Sequence, residues 1–529
     1  MKVPMKWLQE YIDPGIPATE LAHRLTMAGL EAESITQIGE MWADKVFVGY
    51  VHAVARHPDA DRLVLADVSA GEHRLTVVTG APNIAAQQKV ALALAGARLY
   101  DGHSESPNPE IKTLKPGTIR GIKSEGMVCS EKELGLSDEH EGILILPSDA
   151  PEGTLLVSYL GDAVIEFEIT PNLAHNFSIS GIAREIHALL DRPVIQQPAI
   201  NLAEIPPAPN DVVTIVDPER CHRYAVLLVD NLAVSPSPAW VQQRLDAIGM
   251  RSINTIVDIT NLVMHELGYP MHAFDRDMLE GGQIIVRPAR DDEKVTTIDH
   301  IERALTPAMT VIADASKPVG LAGIMGGVYA ESTEQTTRLL LEVAHFNPTT
   351  TRATSRALKL RTDASGRYER GVDPEGIPAA IARAAYLIRE LCPGAVFSGI
   401  ADVYPVQPTQ RSITFAYDRV ERLLGISIDS AEATAILERL GFLTTLTDGQ
   451  LTVWPPSWRT DVIHREDVIE EIARIAGYER LPATLPSGSA QHVWRDQMYR
   501  LRKAARTALV ATGFNEAVTY LTISDADLA

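Results

Sequence analysis

The chain has 529 residues, too many for one hydrophobic core, and its length predicts roughly three or four domains. Its 48 Lys and Arg stand against 69 Asp and Glu, a formal net charge of −21, which excludes a protein that coats nucleic acid wholesale and confines any RNA contact to local patches. Cys129, Cys221 and Cys392 are too few and too far apart for a disulfide framework or a thiolate zinc cage. With no secretory signal after Met1, and the longest apolar run lying near Val90 to Ala97, the expectation is a soluble, cytoplasmic protein.

The opening segment leads through a Pro and Gly turn into a helix, with Thr19 placed to cap its start, Leu21 and Leu25 as its buried stripe and Gly29 at its end. From Val46 the pattern changes to short alternating runs, VFVGYVHAVARH, RLVLADVSA, RLTVVTGA and KVALALAGARL, separated by Pro, Gly, Asp and Asn. That is the spacing of a small closed β domain, read as an OB-type barrel. Lys112, Lys115, Arg120 and Lys123 give it a basic edge of the kind RNA binding requires, and four such cations serve equally as ordinary surface. Glu166 to Leu190 reads as strand, loop and helix, and the Pro-rich passage from Ile205 to Pro209 reads as a linker.

From about Val212 to Val396, strands such as RYAVLLVDNL alternate with helices such as PEGIPAAIARAAYLIREL, predicting an α+β unit. Within it, Arg352, Arg356, Lys359 and Arg361 precede a turn of Thr362, Asp363, Ala364 and Ser365, and Arg367, Glu369, Arg370 and Asp373 follow. Cations converging on a small polar turn suit a phosphate or ribose, and the same run suits a solvated helix face with Arg370 and Asp373 paired. From Arg411 a strand, two helices and a Gly-turned hairpin resemble a winged helix in outline. Asp461, Asp467, Glu470 and Glu471 come next. If a helix begins near His464, the last three stand at i, i+3 and i+4, a spacing for Mg²⁺ oxygen ligands and equally for an acidic first turn with Arg465 and Arg474 as partners. From Trp494 the chain reads as a basic helix, Gly513 and a strand. No GxxxxGK[ST] phosphate loop occurs.

Several of these stretches carry a family resemblance. His57-Pro58-Asp59-Ala60-Asp61-Arg62-Leu63, Gly80-Ala81-Pro82-Asn83 and Ser124-Glu125-Gly126-Met127 resemble the tRNA-binding domain of synthetases and their cofactors. Leu25-Thr26-Met27-Ala28-Gly29-Leu30-Glu31 is similar to the opening of the beta subunit of bacterial phenylalanyl-tRNA synthetase. Arg251-Ser252-Ile253-Asn254, Asp258-Ile259-Thr260-Asn261, the run Gly268 to Asp275, the run Gly320 to Gly327 and the stretch Arg352 to Asp373 resemble that subunit's editing domain.

The resemblance implies an α+β multidomain chain: a split N-terminal domain in 1–40 plus 150–203, an OB-fold tRNA-binding domain in 41–149, and an editing domain in 210–400. A winged-helix-like domain with a carboxylate metal site would occupy 408–482, and the start of a class II synthetase catalytic-like module 485–529. In the family that module continues into an anticodon-binding domain, so the sequence reads as a truncated product or a partial reading frame. A separate alpha subunit would bind ATP and phenylalanine and charge tRNA(Phe), in a tetramer of two alpha and two beta, with Mg²⁺ at Asp461, Asp467, Glu470 and Glu471.

The implied activity of this chain is editing. An apolar synthetic pocket rejects tyrosine poorly, so a second pocket hydrolyses tyrosine misattached to tRNA(Phe). The resemblance gives Glu342 the hydrogen bond from the phenol, Arg251 and His272 the tRNA end and the orientation of water or ester, Gly323 and Gly326 close backbone approach, and Thr362 and Ala364 the pocket wall. Singly, each glycine reads as a turn and His272 as a buried structural histidine. The family usually has Arg and Asp where this chain has Leu173 and His175. Two other classes stay open: a non-catalytic tRNA-binding or assembly scaffold, and a freestanding editing hydrolase acting in trans.

Overall fold

The chain enters its first sheet at once and leaves it again. In the computed structural model, which describes residues 1–102, 104, 110–137, 139–485, 488 and 496–528, the strand Asp162–Phe167 lies between Lys2–Pro4 and Ala32–Ile38 and is antiparallel to both. The helix Ala18–Met27 starts on Pro17, not on Thr19. Proline's fixed φ already suits the step into a helix, and no side chain caps it. Leu21 and Leu25 are buried beneath it, and Gly29 closes it at a φ of 94°.

The residues between Ile38 and Asp162 build their own sheet, in the order Gly126–Val128, Lys89–Leu94, Val46–Arg56, Val64–Ala70 and His73–Thr79, with Ile145–Leu146 added beside Lys89–Leu94. Strand periodicity divides its side chains. Val90 and Leu92 pack with Val51, Val68 and Val77 on one face, and Ala91 and Ala93 pack with Trp42, Val46 and Leu156 on the other. The two ends of the sheet curl together, where the Val78 N–H donates to Ser124 Oγ at 3.1 Å. The result is a nearly closed barrel.

Beyond it, Leu339–Phe346 is buried along its whole length at the centre of a four-stranded antiparallel sheet, ordered Met271–Asp275, Leu339–Phe346, Cys221–Asp230 and Val396–Val403. Burial on both faces explains why LLLEVAHF is apolar at nearly every position rather than alternating. Leu341 and Val343 pack against the helices Thr255–Leu267 and Ile377–Leu391. Leu340, Ala344 and Phe346 point to the other face, over which lies a second sheet containing Ile284–Pro288, Thr310–Ala313, Pro318–Leu321 and Met325–Gly326. The Pro-rich passage is not a free linker. Ala208 donates its N–H to the Ile400 carbonyl and Ile400 donates to Pro206, at 2.8 and 2.9 Å, so the passage is pinned along the edge strand Val396–Val403.

Ile413–Ala416, Gln450–Trp454 and Leu443–Thr447 form a small antiparallel sheet under the helices Asp418–Leu424 and Ser430–Arg439, and the helix Arg465–Ala476 follows. Ala188, from the N-terminal helix Ile179–Leu190, shares this core. Pro482–Ala529 is a second unit, distinct from Met1–Leu481. It holds the helix Gln497–Ala511 and a turn at Gly513; the strand expected after Gly513 does not form among the described residues. No helix among the described residues is long and apolar enough to cross a membrane.

Candidate editing pocket

The inner face of the four-stranded sheet carries one acid. Glu342 stands on the central strand with His272 directly opposite on one neighbour and Val226 on the other. Four aromatic rings surround it: Tyr224 and Phe346 are 6.3 Å apart, Phe346 and Tyr368 5.1 Å, and Phe274 meets the His272 ring edge-on at 4.4 Å. Glu342 is 4% exposed, and its hydrogen bond comes from the Tyr224 hydroxyl, Oη to Oε2 at 2.7 Å. Burial pushes its carboxyl up to about 8, with the Tyr224 hydrogen bond pulling the other way. The acid therefore leans to its neutral form at pH 7. A neutral carboxyl both donates and accepts, so a phenol still finds a partner there and a benzene ring does not.

Across the strand pair, His272 has a buried Nε2 without a hydrogen-bond partner among the described residues, and burial holds the imidazole down to about 4. It too is neutral. Gly326 lies directly against this ring: a Cβ at that position would sit 2.1 Å from His272 Cε1, so only glycine lets the two approach. Gly323 turns at a φ of 69°, and a Cβ there would lie 3.0 Å from Tyr368 and 3.1 Å from Phe346. Thr362 joins this turn to the next helix. Its Oγ1 donates to the Ile324 carbonyl at 2.8 Å and accepts the Ser365 N–H at 3.0 Å, capping Asp363–Tyr368. Ala364 packs half-buried beside the same apolar cluster. The fold thus brings six of the seven expected pocket residues around one cluster. Arg251 is exposed in the turn before Thr255–Leu267, and among the described residues no hydrogen bond or ion pair joins it to the others.

The cations of the 352–373 stretch do not converge. Arg367 is buried, donating to the carbonyls of Asp363 and Phe177 at 3.0 and 3.2 Å, and Arg370 donates to Gly366 at 2.8 Å instead of pairing with Asp373. Arg352 reaches the Glu369 carbonyl at 2.8 Å, while Arg356 and Lys359 face solvent. On the barrel, Lys112 pairs with Asp101 and Lys123 with Glu125, and Lys115 and Arg120 are exposed.

The four acids implied as a magnesium site take separate roles. Asp461 holds Arg459 through two bonds, at 2.9 and 2.7 Å. Glu471 contacts Arg459 and holds Arg474 at 2.8 and 2.6 Å; burial opposes its ionisation, but the two guanidinium groups keep it below the usual carboxylate range. Asp467 accepts the N–H groups of Ile463 and His464, at 2.8 and 2.7 Å, and Glu470 is exposed. Among the described residues, no three such groups gather to hold an ion. Asp461 and Glu471 are spent on guanidinium groups and Asp467 Oδ2 on backbone N–H groups, so the residues that the resemblance implies as magnesium ligands stand here in an ion-pair network and not around one point. Of the two family departures, His175 joins this network, its Nε2 3.0 Å from Glu185, which Arg474 Nη1 meets at 2.6 Å, and Leu173 is buried.

The aromatic wall went unread in the sequence. One signal was available: a Tyr inside a strand as apolar as RYAVLLVDNL needs a partner for its hydroxyl, and the lone acid of LLLEVAHF supplies it.

Three family models match the chain: "Putative tRNA binding domain" over residues 46–155, "B3/4 domain" over 220–393 and "tRNA synthetase B5 domain" over 413–478. The phenylalanine--tRNA ligase beta subunit of Dehalococcoides mccartyi is 41% identical over 538 aligned residues, covering 98% of this chain and 65% of that protein. The beta subunits of Moorella thermoacetica and Geobacter metallireducens are 44% and 42% identical, each over 98% of this chain and 64% of their own length. The chain therefore spans just under two thirds of the curated relatives it matches. Among solved structures, an N-terminal fragment of the phenylalanyl-tRNA synthetase beta subunit from Pyrococcus horikoshii covers 60% of this chain and 87% of its own, at 14% identity and a TM-score of 0.32, too low to establish a shared fold.

Proposed function

The chain belongs to the phenylalanine--tRNA ligase beta-subunit family, and from that premise we propose that it binds tRNA(Phe) and hydrolyses tyrosine wrongly attached to it, in the pocket centred on Glu342. The observation that carries this reading is a single buried acid inside an aromatic wall, paired across the strand with an imidazole whose Nε2 has no partner. A tyrosine side chain entering such a wall loses little by leaving water, because its hydroxyl meets Glu342. Phenylalanine leaves the acid's polar group unpaired. The neutral His272 Nε2 would take the hydrogen of the attacking water or of the terminal ribose hydroxyl, holding that oxygen toward the ester carbonyl. The tight turn through Gly323 and Gly326 would let backbone N–H groups approach the oxygen on which negative charge develops.

The OB-type barrel of 41–149 is assigned to tRNA, with exposed Lys115 and Arg120 among its cations, the split domain of 1–40 and 150–203 to its support, and 210–400 to hydrolysis. The winged-helix-like part, 408–482, and the class II-like start, 485–529, are assigned to docking an alpha subunit, in a cytoplasmic tetramer of two alpha and two beta. ATP and Mg²⁺ belong to that partner's charging reaction, and no step is routed through the four acids.

The test is deacylation of tyrosine-charged tRNA(Phe) by this chain, alone and with an alpha subunit. Glu342→Ala should lower the preference for tyrosine over phenylalanine roughly tenfold. His272→Ala should slow both reactions. Absence of hydrolysis even with the alpha subunit present would overturn the reading in favour of a tRNA-binding scaffold.

A further inference from the structure

Among the described residues Glu342 is held neither by a backbone N–H nor by a cation; its hydrogen-bond partner is the phenol of Tyr224 on the neighbouring strand. Tyr224 is fully buried, stands opposite Ala344, two residues along the strand from Glu342, and has its ring fixed edge-on against Phe346 at 66°. Its hydroxyl is therefore aimed at one oxygen, Oε2, while Oε1 has no hydrogen-bond partner among the described residues. The two oxygens of an untethered carboxyl are interchangeable by rotation; here they are not.

We propose that Tyr224 is a specificity-determining positioning residue, which by occupying Oε2 of Glu342 reserves Oε1 for the phenolic hydroxyl of a bound tyrosine. The inference rests on the editing reading of this pocket and deepens it. Burial pushes the Tyr224 phenol above its ordinary range, so it keeps its proton and remains a donor. With Oε2 accepting from that phenol, the proton of the neutral acid resides on Oε1, which then offers a donor to the substrate. Tyrosine's oxygen accepts it. Phenylalanine buries it unpaired, and the cost of an unpaired buried donor sets the discrimination. Without the Tyr224 hydroxyl the carboxyl is free to turn, and its proton can satisfy itself on a water trapped where that hydroxyl stood. The penalty against phenylalanine then falls.

The experiment is a cycle of Tyr224→Phe, Glu342→Gln and the double variant, read on tyrosine-charged and phenylalanine-charged tRNA(Phe) with the full chain and an alpha subunit. Tyr224→Phe keeps the ring and its contact with Phe346. The tyrosine-over-phenylalanine ratio of kcat/KM should fall about tenfold, carried by a lower KM for the phenylalanine-charged substrate, and the double variant should be no worse than Glu342→Gln. The carbonyl stretch of the protonated acid, identified by its loss in Glu342→Gln, should shift in Tyr224→Phe; this reading needs no activity. An unchanged ratio, an unshifted band, or losses that add in the double variant would overturn the role of Tyr224 while leaving editing intact. A wild-type chain that hydrolyses neither substrate would remove the editing reading itself, and this inference with it.

Discussion

Glu342 holds its proton well above the pH at which the unfolded chain releases it, and that difference has a sign. The folded acid titrates at about 8 and an unburied one near its ordinary 4.5, so between those values the native state binds more protons than the unfolded state. Stability contributed by this group is fully present below pH 4.5 and is lost as pH rises towards 8. Glu342→Gln removes the titration. The difference in unfolding free energy between wild type and variant should therefore drift in the variant's favour by a few kcal/mol from pH 5 to pH 8, measured by urea unfolding at fixed salt. A difference that stays flat would mean that the acid is ionised in the native pocket. His272, depressed to about 4, contributes in the opposite direction, losing stability as pH falls below 6.5, and cancels when wild type and Glu342→Gln are compared.

At the scale of elements, the helices Ile179–Leu190 and Arg465–Ala476 are clasped by Arg474, which bonds Glu185 at 2.6 and 3.2 Å and Glu471 at 2.8 and 2.6 Å, all three side chains being at most 4% exposed. Arg474→Ala leaves two buried carboxyl groups without their shared cation and should cost about 3–5 kcal/mol, read as a lower urea midpoint; a loss below about 1 kcal/mol would show that the clasp is not a stabilising contact. This network marks where sequence reading stops. A helix beginning near His464 was legible from the acidic first turn, and so was the fact that Asp467, Glu470 and Glu471 fall within its first two turns. The direction each acid takes was not. Arg459 lies in the loop before the helix and Glu185 on a helix far earlier in the chain, so periodicity along one segment carries no record of the guanidinium groups facing it. The strands of the barrel were legible because their apolar residues alternate. The Pro-rich passage was misread because proline content reports the loss of helix and ladder donors, and says nothing of an edge strand waiting to pair with the carbonyls that remain. In the pocket, the resemblance singled out Glu342, His272 and the glycines, whereas the pairing of Tyr224 with Glu342 needed two distant strands laid side by side.

For the molecule as a whole, the first sheet is interrupted and resumed at a single point. Ile38 and Asp162 are register partners on neighbouring antiparallel strands, and everything between them is the barrel with its flanking turns. Partners in such a ladder stand about 5 Å apart, a gap that a two-residue Asn-Gly hairpin turn spans without moving either strand. The barrel is thus a cassette on a pair of adjacent stems. Replacing residues 39–161 with that turn should leave a chain that melts cooperatively and still bears the Glu342 pocket, while its affinity for tRNA(Phe) drops and loses much of its salt dependence. A chain that fails to fold would show that the barrel props up the sheet from which it is hung. Grafted the other way, the same two stems would accept a different module of any length whose ends lie a strand's width apart, so the barrel can be exchanged without touching the sheet that carries Glu342.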